Sequence, residues 1–189
     1  MRARLITWLA GALSSLALAA AVPLAAAETV REPEGYRSAP YRALVPATLA
    51  GATVLTTGEA KSLWDAGEAV FVDVLPRPPR PANLPEGTLW SPKPRDNIPG
   101  SVWLPNTGYD RLSDETAAYF AAGLHTATGG APERPLVLYC LADCWMSWNA
   151  AKRALALGYG NVHWYPEGTD AWAAAGHPLA PSEPLSVSP

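Results

Sequence analysis

Two residues in this chain stand out chemically. They are its two cysteines, Cys140 and Cys144, in the run Cys140-Leu141-Ala142-Asp143-Cys144-Trp145-Met146-Ser147. A thiol becomes a nucleophile as its thiolate, and a thiolate is stabilised by the N–H groups and dipole of a helix N-terminus. Leu136-Val137-Leu138-Tyr139 reads as a buried strand ending at Cys140, and Trp148–Leu157 reads as a helix stopped by Gly158. Cys140 is then expected at the carboxyl end of a strand that feeds a helix, where α/β sheets gather their ligands. Asp143 opposes the thiolate by like charge. Cys144 lies within disulfide reach if the loop curves. Closing so short a loop contributes about 2 kcal/mol in the chain-entropy model. The pair therefore reads either as reactive and switchable or as an inert oxidised staple. A metal site is not expected, because none of the three histidines lies near the cysteines in sequence.

The elements that must position this loop follow from periodicity and punctuation. Ala52–Thr56 reads as a short strand, and Thr57 as the cap of a helix over Glu59–Ala66 that ends at Gly67. Ala69–Val74 is a continuous apolar run, as expected of a strand buried on both faces. Ser113–Leu124 opens with Ser-x-x-Thr and two acids, which predicts a helix. Val162–Tyr165 reads as a third buried strand, and Asp170–Ala175 as a short closing helix. Strand and helix alternate, which predicts an α/β fold with a parallel sheet and helices on both faces. Between them, residues 76–105 hold nine prolines together with Trp90 and Trp103. Exposed indoles are costly, so this stretch is expected to be an ordered covering loop rather than disorder.

The chain has 189 residues, a formal charge of −3 and 16% charged residues. No basic surface for nucleic acid is expected from so mild an acidity. A basic start (Arg2, Arg4), an uncharged Ala/Leu stretch from Leu5 to Leu24 and the exit Ala25-Ala26-Ala27 read as a signal peptide over residues 1–27. Its removal would leave 189 − 27 = 162 residues with charge 12 − 17 = −5 and no membrane span. The expected location is periplasmic, where a cysteine pair can be oxidised. Residues 28–50 are expected to form an extended arm laid on the domain through its tyrosines. Residues 51–180 would form the domain, and 181–189 a flexible C-terminal tail. Asp73 reads as a structural acceptor at a strand end, and His125, His163 and His177 as structural or surface residues. Trp145 reads either as a packing residue or as one on the rim of the loop that faces a substrate or partner.

Phe71-Val72-Asp73-Val74, Asn97-Ile98-Pro99-Gly100-Ser101-Val102, Leu138-Tyr139-Cys140 and the segment Val162–Trp172 together resemble a rhodanese-type domain. Within that group, Leu141–Arg153, Ile98–Pro105 and Glu34-Gly35-Tyr36 resemble a rhodanese-like family named for catabolism dependent on pyrroloquinoline quinone (PQQ) and for a CXXCW motif. The resemblance implies a rhodanese-like sheet with a Pro-rich inserted loop and an N-terminal arm. It also implies an exported protein accompanying components of a PQQ-dependent alcohol oxidation or transport system. Cys140 matches the cysteine that carries persulfide sulfur in rhodaneses, with Cys144 as its partner. Asp143, Trp145, Met146 and Ser147 are the loop residues expected at the substrate. No cofactor of its own is assigned. The spacing here is C-x3-C-W, and the loop to Ser147 is one residue longer than in sulfurtransferases. It lacks arginine and carries Asp143, so the thiosulfate dianion is disfavoured by about 1 kcal/mol or more at contact distance. The leading expectation is sulfur or thiol–disulfide exchange. The alternative is a catalytically inactive scaffold that binds a partner protein or small ligand through a Trp-rich rim.

Overall fold

The computed structural model describes residues 30–187. The expected signal peptide lies outside the described residues. The helix and strand order is β1 (Thr53–Val54), α1 (Thr57–Ala66), β2 (Val70–Asp73), β3 (Arg95–Asn97), β4 (Val102–Trp103), α2 (Asp114–Thr128), β5 (Leu136–Tyr139), α3 (Trp145–Ala156), β6 (Val162–Tyr165), α4 (Gly168–Ala174) and β7 (Ala180–Ser182).

Among the described residues, the main sheet has five strands in the order β1-β6-β5-β2-β4, all parallel. β5 lies at its centre and is buried along its whole length. The side-chain alternation of a strand divides it between two cores. Leu136 and Leu138 pack with Val72, Trp148 and Trp164 on one face, while Val137 and Tyr139 pack with Phe71, Tyr165 and Trp172 on the other. Helices on both faces are thus required by the sequence of the central strands themselves.

The caps explain where the helices begin and end. α1 starts at Thr57, two residues before the expected Glu59, and its cap is not Thr57 but Thr56, which forms the capping box with Glu59. Gly67 ends it with a left-handed backbone, φ 65°. α2 is capped by Ser113 as expected, and runs on to Thr128. α3 begins at Trp145, three residues before the expected Trp148, with Cys144 as a cap that contributes no side-chain hydrogen bond. The loop between β5 and α3 is therefore confined to residues 140–144.

The second half of the proline-rich stretch carries two short strands. β4 adds to the main sheet, and β3 pairs antiparallel with β7 in a separate ribbon. Residues 181–185, part of the tail 181–189 expected to be flexible, are instead tied down. Leu185 N–H donates to Trp103 O (2.8 Å), and its carbonyl accepts from Tyr119 Oη (2.9 Å).

Candidate functional site

The parallel register places Asp73, the last residue of β2, beside Tyr139, the last residue of β5. Cys140 follows directly. The loop then curls so that Cys140 and Cys144 are joined as a disulfide, with Cα atoms 6.5 Å apart. Asp143 makes the curl possible. It sits at φ 50°, a left-handed conformation that Asp tolerates better than most residues. Its side chain is exposed to solvent, and its carbonyl accepts from Ala43 N–H (3.1 Å).

The loop is fastened on three sides. From α4, Thr169 N–H donates to Cys140 O (3.1 Å), and Asp170 accepts from Ala142 N–H (3.1 Å). Gly168 permits this approach, since a Cβ there would lie 2.6 Å from Cys140 O. From the start of β3, Arg95 forms an ion pair with Asp73 (2.6 Å), and its guanidinium reaches Cys140 O (3.4 Å) and Thr169 Oγ1 (3.3 Å). Asp73 is fully buried and also accepts from Leu75 N–H (2.9 Å), so it is the structural acceptor the sequence suggested. Burial nevertheless raises its carboxyl above the ordinary value, against the pull of Arg95.

The third fastening is the arm, which crosses over the loop and the first turns of α3. Arg42 bridges Cys144, Trp145 N–H donates to Tyr41 O (2.8 Å), and Arg42 approaches Asp170 at 3.6 Å. Tyr41 donates to Asp110 and packs edge-on against Tyr109. The arm is also gripped by side chains at every turn of one face of α3. Trp145 Nε1 donates to Leu44 O, Trp148 Nε1 to Thr48 O, Asn149 brackets Arg37, and Lys152 Nζ binds the carbonyls of Pro33 and Glu34.

This corrects the expected Trp-rich rim. Trp145 is 3% exposed and Trp148 is fully buried, both beneath the arm. Met146 is buried too. Ser147 is a core residue whose hydroxyl donates to Cys144 O (2.9 Å) and accepts from Trp164 Nε1 (3.0 Å). Met146 packs against Gly108, where a Cβ would come within 2.5 Å of it. The structure therefore brings Cys140, Cys144, Asp143, Trp145, Met146 and Ser147 into one loop-and-helix start, but presents only Asp143 to solvent. Cys140 and Cys144 themselves are 0% and 3% exposed. A disulfide is not a nucleophile, so sulfur uptake at this loop requires prior reduction.

Beside the loop lies a cavity of about 830 Å³ between the proline-rich segment and the carboxyl edge of the sheet. Pro76, Pro78, Trp90 and Trp103 line it from the segment, and Leu141 and Thr169 from the rest of the domain. Sequence reasoning did not single out Arg95, Thr169, Asp170 or Arg42. Each acts on the loop from 28 to 102 residues away along the chain, with no local pattern that marks it.

Residues 56–175 match the family described as rhodanese-like domain. Among solved structures, the chain is similar to a thiosulfate sulfurtransferase from Pseudomonas aeruginosa. The identity is 19%, with 72% of this chain and 22% of that chain covered and a TM-score of 0.47. It is also similar to a polysulfide-sulfur transferase homodimer from Wolinella succinogenes, at 16% identity over 69% of this chain and 80% of that one, TM-score 0.44. The matched part spans about a fifth of the Pseudomonas protein's length. No curated protein shows significant sequence similarity to the chain.

Proposed function

Because the chain belongs to the rhodanese-like domain family, with residues 56–175 matched, we propose that it is an exported protein whose Cys140–Cys144 pair performs thiol–disulfide or sulfur exchange in support of PQQ-dependent alcohol oxidation. The observation that carries the chemistry is the joining of the two cysteines between the end of β5 and the start of α3. An incoming thiolate attacks one Sγ, the S–S bond breaks, and the other sulfur leaves as a thiolate near the α3 N-terminus. A second thiol resolves the mixed disulfide, so two electrons and two protons pass to the pair. Export is supported by the leader-like residues 1–27, and the PQQ association by the resemblance at Leu141–Arg153.

After mild reduction, Cys140 should react with neutral iodoacetamide in the folded protein, while thiosulfate:cyanide turnover stays low. Cys140→Ser should abolish disulfide formation in the loop. Cys144→Ser should leave Cys140 prone to stable mixed disulfides, since its resolving partner is gone. Turnover of thiosulfate like an ordinary sulfurtransferase overturns the charge argument at Asp143. Intact mass of the exported protein should begin at Glu28, and a strain lacking the protein should grow more slowly on a simple alcohol. Unchanged growth refutes the metabolic part of the proposal.

The burial of both cysteines favours a second reading, a binding scaffold with a structural disulfide. Resistance of Cys140 to alkylation in the reduced, folded protein selects it over exchange.

A further inference from the structure

The cavity beneath the proline-rich segment takes no part in the exchange chemistry, yet it has the size and lining of a small-molecule site. Its volume of about 830 Å³ falls within the roughly 300–1,000 Å³ usual for such sites. Its walls are flat and apolar, made largely of proline rings and the two indoles of Trp90 and Trp103. The indole N–H groups identify which wall is incomplete. Among the described residues, Trp64, Trp103, Trp145, Trp148, Trp164 and Trp172 each donate to an acceptor within the protein. Trp90 alone has no such acceptor, and it is the tryptophan that stands 36% exposed at the cavity.

Lys93 lines the same cavity three residues further on, and among the described residues no carboxylate pairs with it. Arg77 adds a second cation. Its guanidinium lies 5.9 Å from the Trp103 ring, and its carboxylate partner, Glu183 at 3.5 Å, is largely exposed. The third, Arg95, is committed to Asp73. The carboxylates at the wall are Asp170, already engaged by Arg42 and Ala142 N–H, and the exposed Asp96.

We infer that this cavity binds a planar aromatic molecule bearing a carboxylate. Its rings lie against Trp90 and the prolines, and its carboxylate meets the Trp90 N–H and the Lys93 ammonium. Aromatic faces favour the rings, and a charged acceptor strengthens each donor. The inference does not rest on the reading of the cysteines as an exchange pair.

Calorimetric titration of the full domain with 2-naphthoate tests it, with 2-naphthylmethanol as a neutral probe of the same ring system. The alcohol should bind about tenfold more weakly than the acid, the scale of a charged hydrogen bond in a partly dry site. Trp90→Phe keeps an aromatic face and removes the donor, and should weaken the acid about five- to tenfold and the alcohol, a neutral acceptor, by less. Lys93→Gln, at an exposed position, should weaken the acid and flatten its salt dependence. Equal affinity for acid and alcohol, no measurable binding of 2-naphthoate, or unchanged binding in both variants overturns the inference. Circular dichroism of the variants confirms that the fold is retained.

Discussion

Arg95→Met tests the electrostatic anchor of the Cys140 loop. In the native protein the Asp73 carboxylate is fully buried and the Arg95 side chain is 10% exposed, with Nε 2.6 Å from the carboxylate. Methionine keeps much of the aliphatic bulk and removes the charge. Asp73 is then left with the Leu75 N–H as its remaining partner at 2.9 Å. Removing one partner of a buried pair costs about 3–5 kcal/mol, because the other charge stays desolvated. The lost bonds to Cys140 O and Thr169 Oγ1 are long and add little, since Thr169 N–H still holds Cys140 O. Urea unfolding of the oxidised protein at pH 7 should show that loss.

Its pH dependence is a second check. Burial already raises the Asp73 carboxyl above its ordinary 3.8, and Arg95 holds it down. Without Arg95 it rises further. A carboxyl with a raised folded pKa binds its proton more tightly in the native state, so it stabilises the fold when protonated. That contribution is lost as pH climbs from the unfolded value through the folded one. The penalty of Arg95→Met is therefore smallest in acid and largest at neutral pH. Asp73→Asn in the same background removes the stranded charge and should recover at least about 1 kcal/mol. A loss under about 1 kcal/mol at pH 7, or one independent of pH, refutes the buried-pair argument.

Other consequences can be measured more simply. Reducing Cys140–Cys144 should lower the unfolding free energy by about 2 kcal/mol by removing the short loop closure, measured by urea unfolding with and without dithiothreitol. Gly168→Ala should loosen the Cys140 loop, because its Cβ would meet Cys140 O at 2.6 Å on a left-handed backbone of φ 53°. After reduction its cysteines should alkylate faster than those of the wild type, and equal rates would show that α4 does not restrain the loop. Trp145→Ala should cost about 3–5 kcal/mol as a buried large-to-small change. It should also expose the arm to limited proteolysis before the domain unfolds.

The parts of this molecule that were legible in the sequence are those whose signal is local. β2, β5 and β6 are short apolar runs because both faces of each are covered, and Ser113 and Gly67 carry their capping chemistry in their own side chain or backbone. The start of α3 carries no residue-type mark, because Cys144 caps it without a side-chain bond. The β3–β7 ribbon is unmarked for a related reason. Arg95-Asp96-Asn97 and Ala180-Pro181-Ser182 have no strand-like pattern, and pairing across 85 residues supplies what propensity does not. The disulfide partners were readable from spacing, but their burial was not. The cover is an arm whose hydrogen bonds to Trp145 and Trp148 use main-chain carbonyls, and main-chain atoms leave no trace in residue identity.

That mode of attachment has a consequence for how the protein can vary. Trp145, Trp148, Asn149 and Lys152 form one stripe along α3, and they hold the arm mainly by its carbonyl oxygens. Every amino acid supplies the same carbonyl, so most arm positions are free to drift in side chain as long as the path of the backbone is kept. The four positions on the helix have no such freedom, because each acts through a particular indole, amide or ammonium. Mutational tolerance should therefore be lopsided across this contact, permissive on the strap and strict on the helix that wears it.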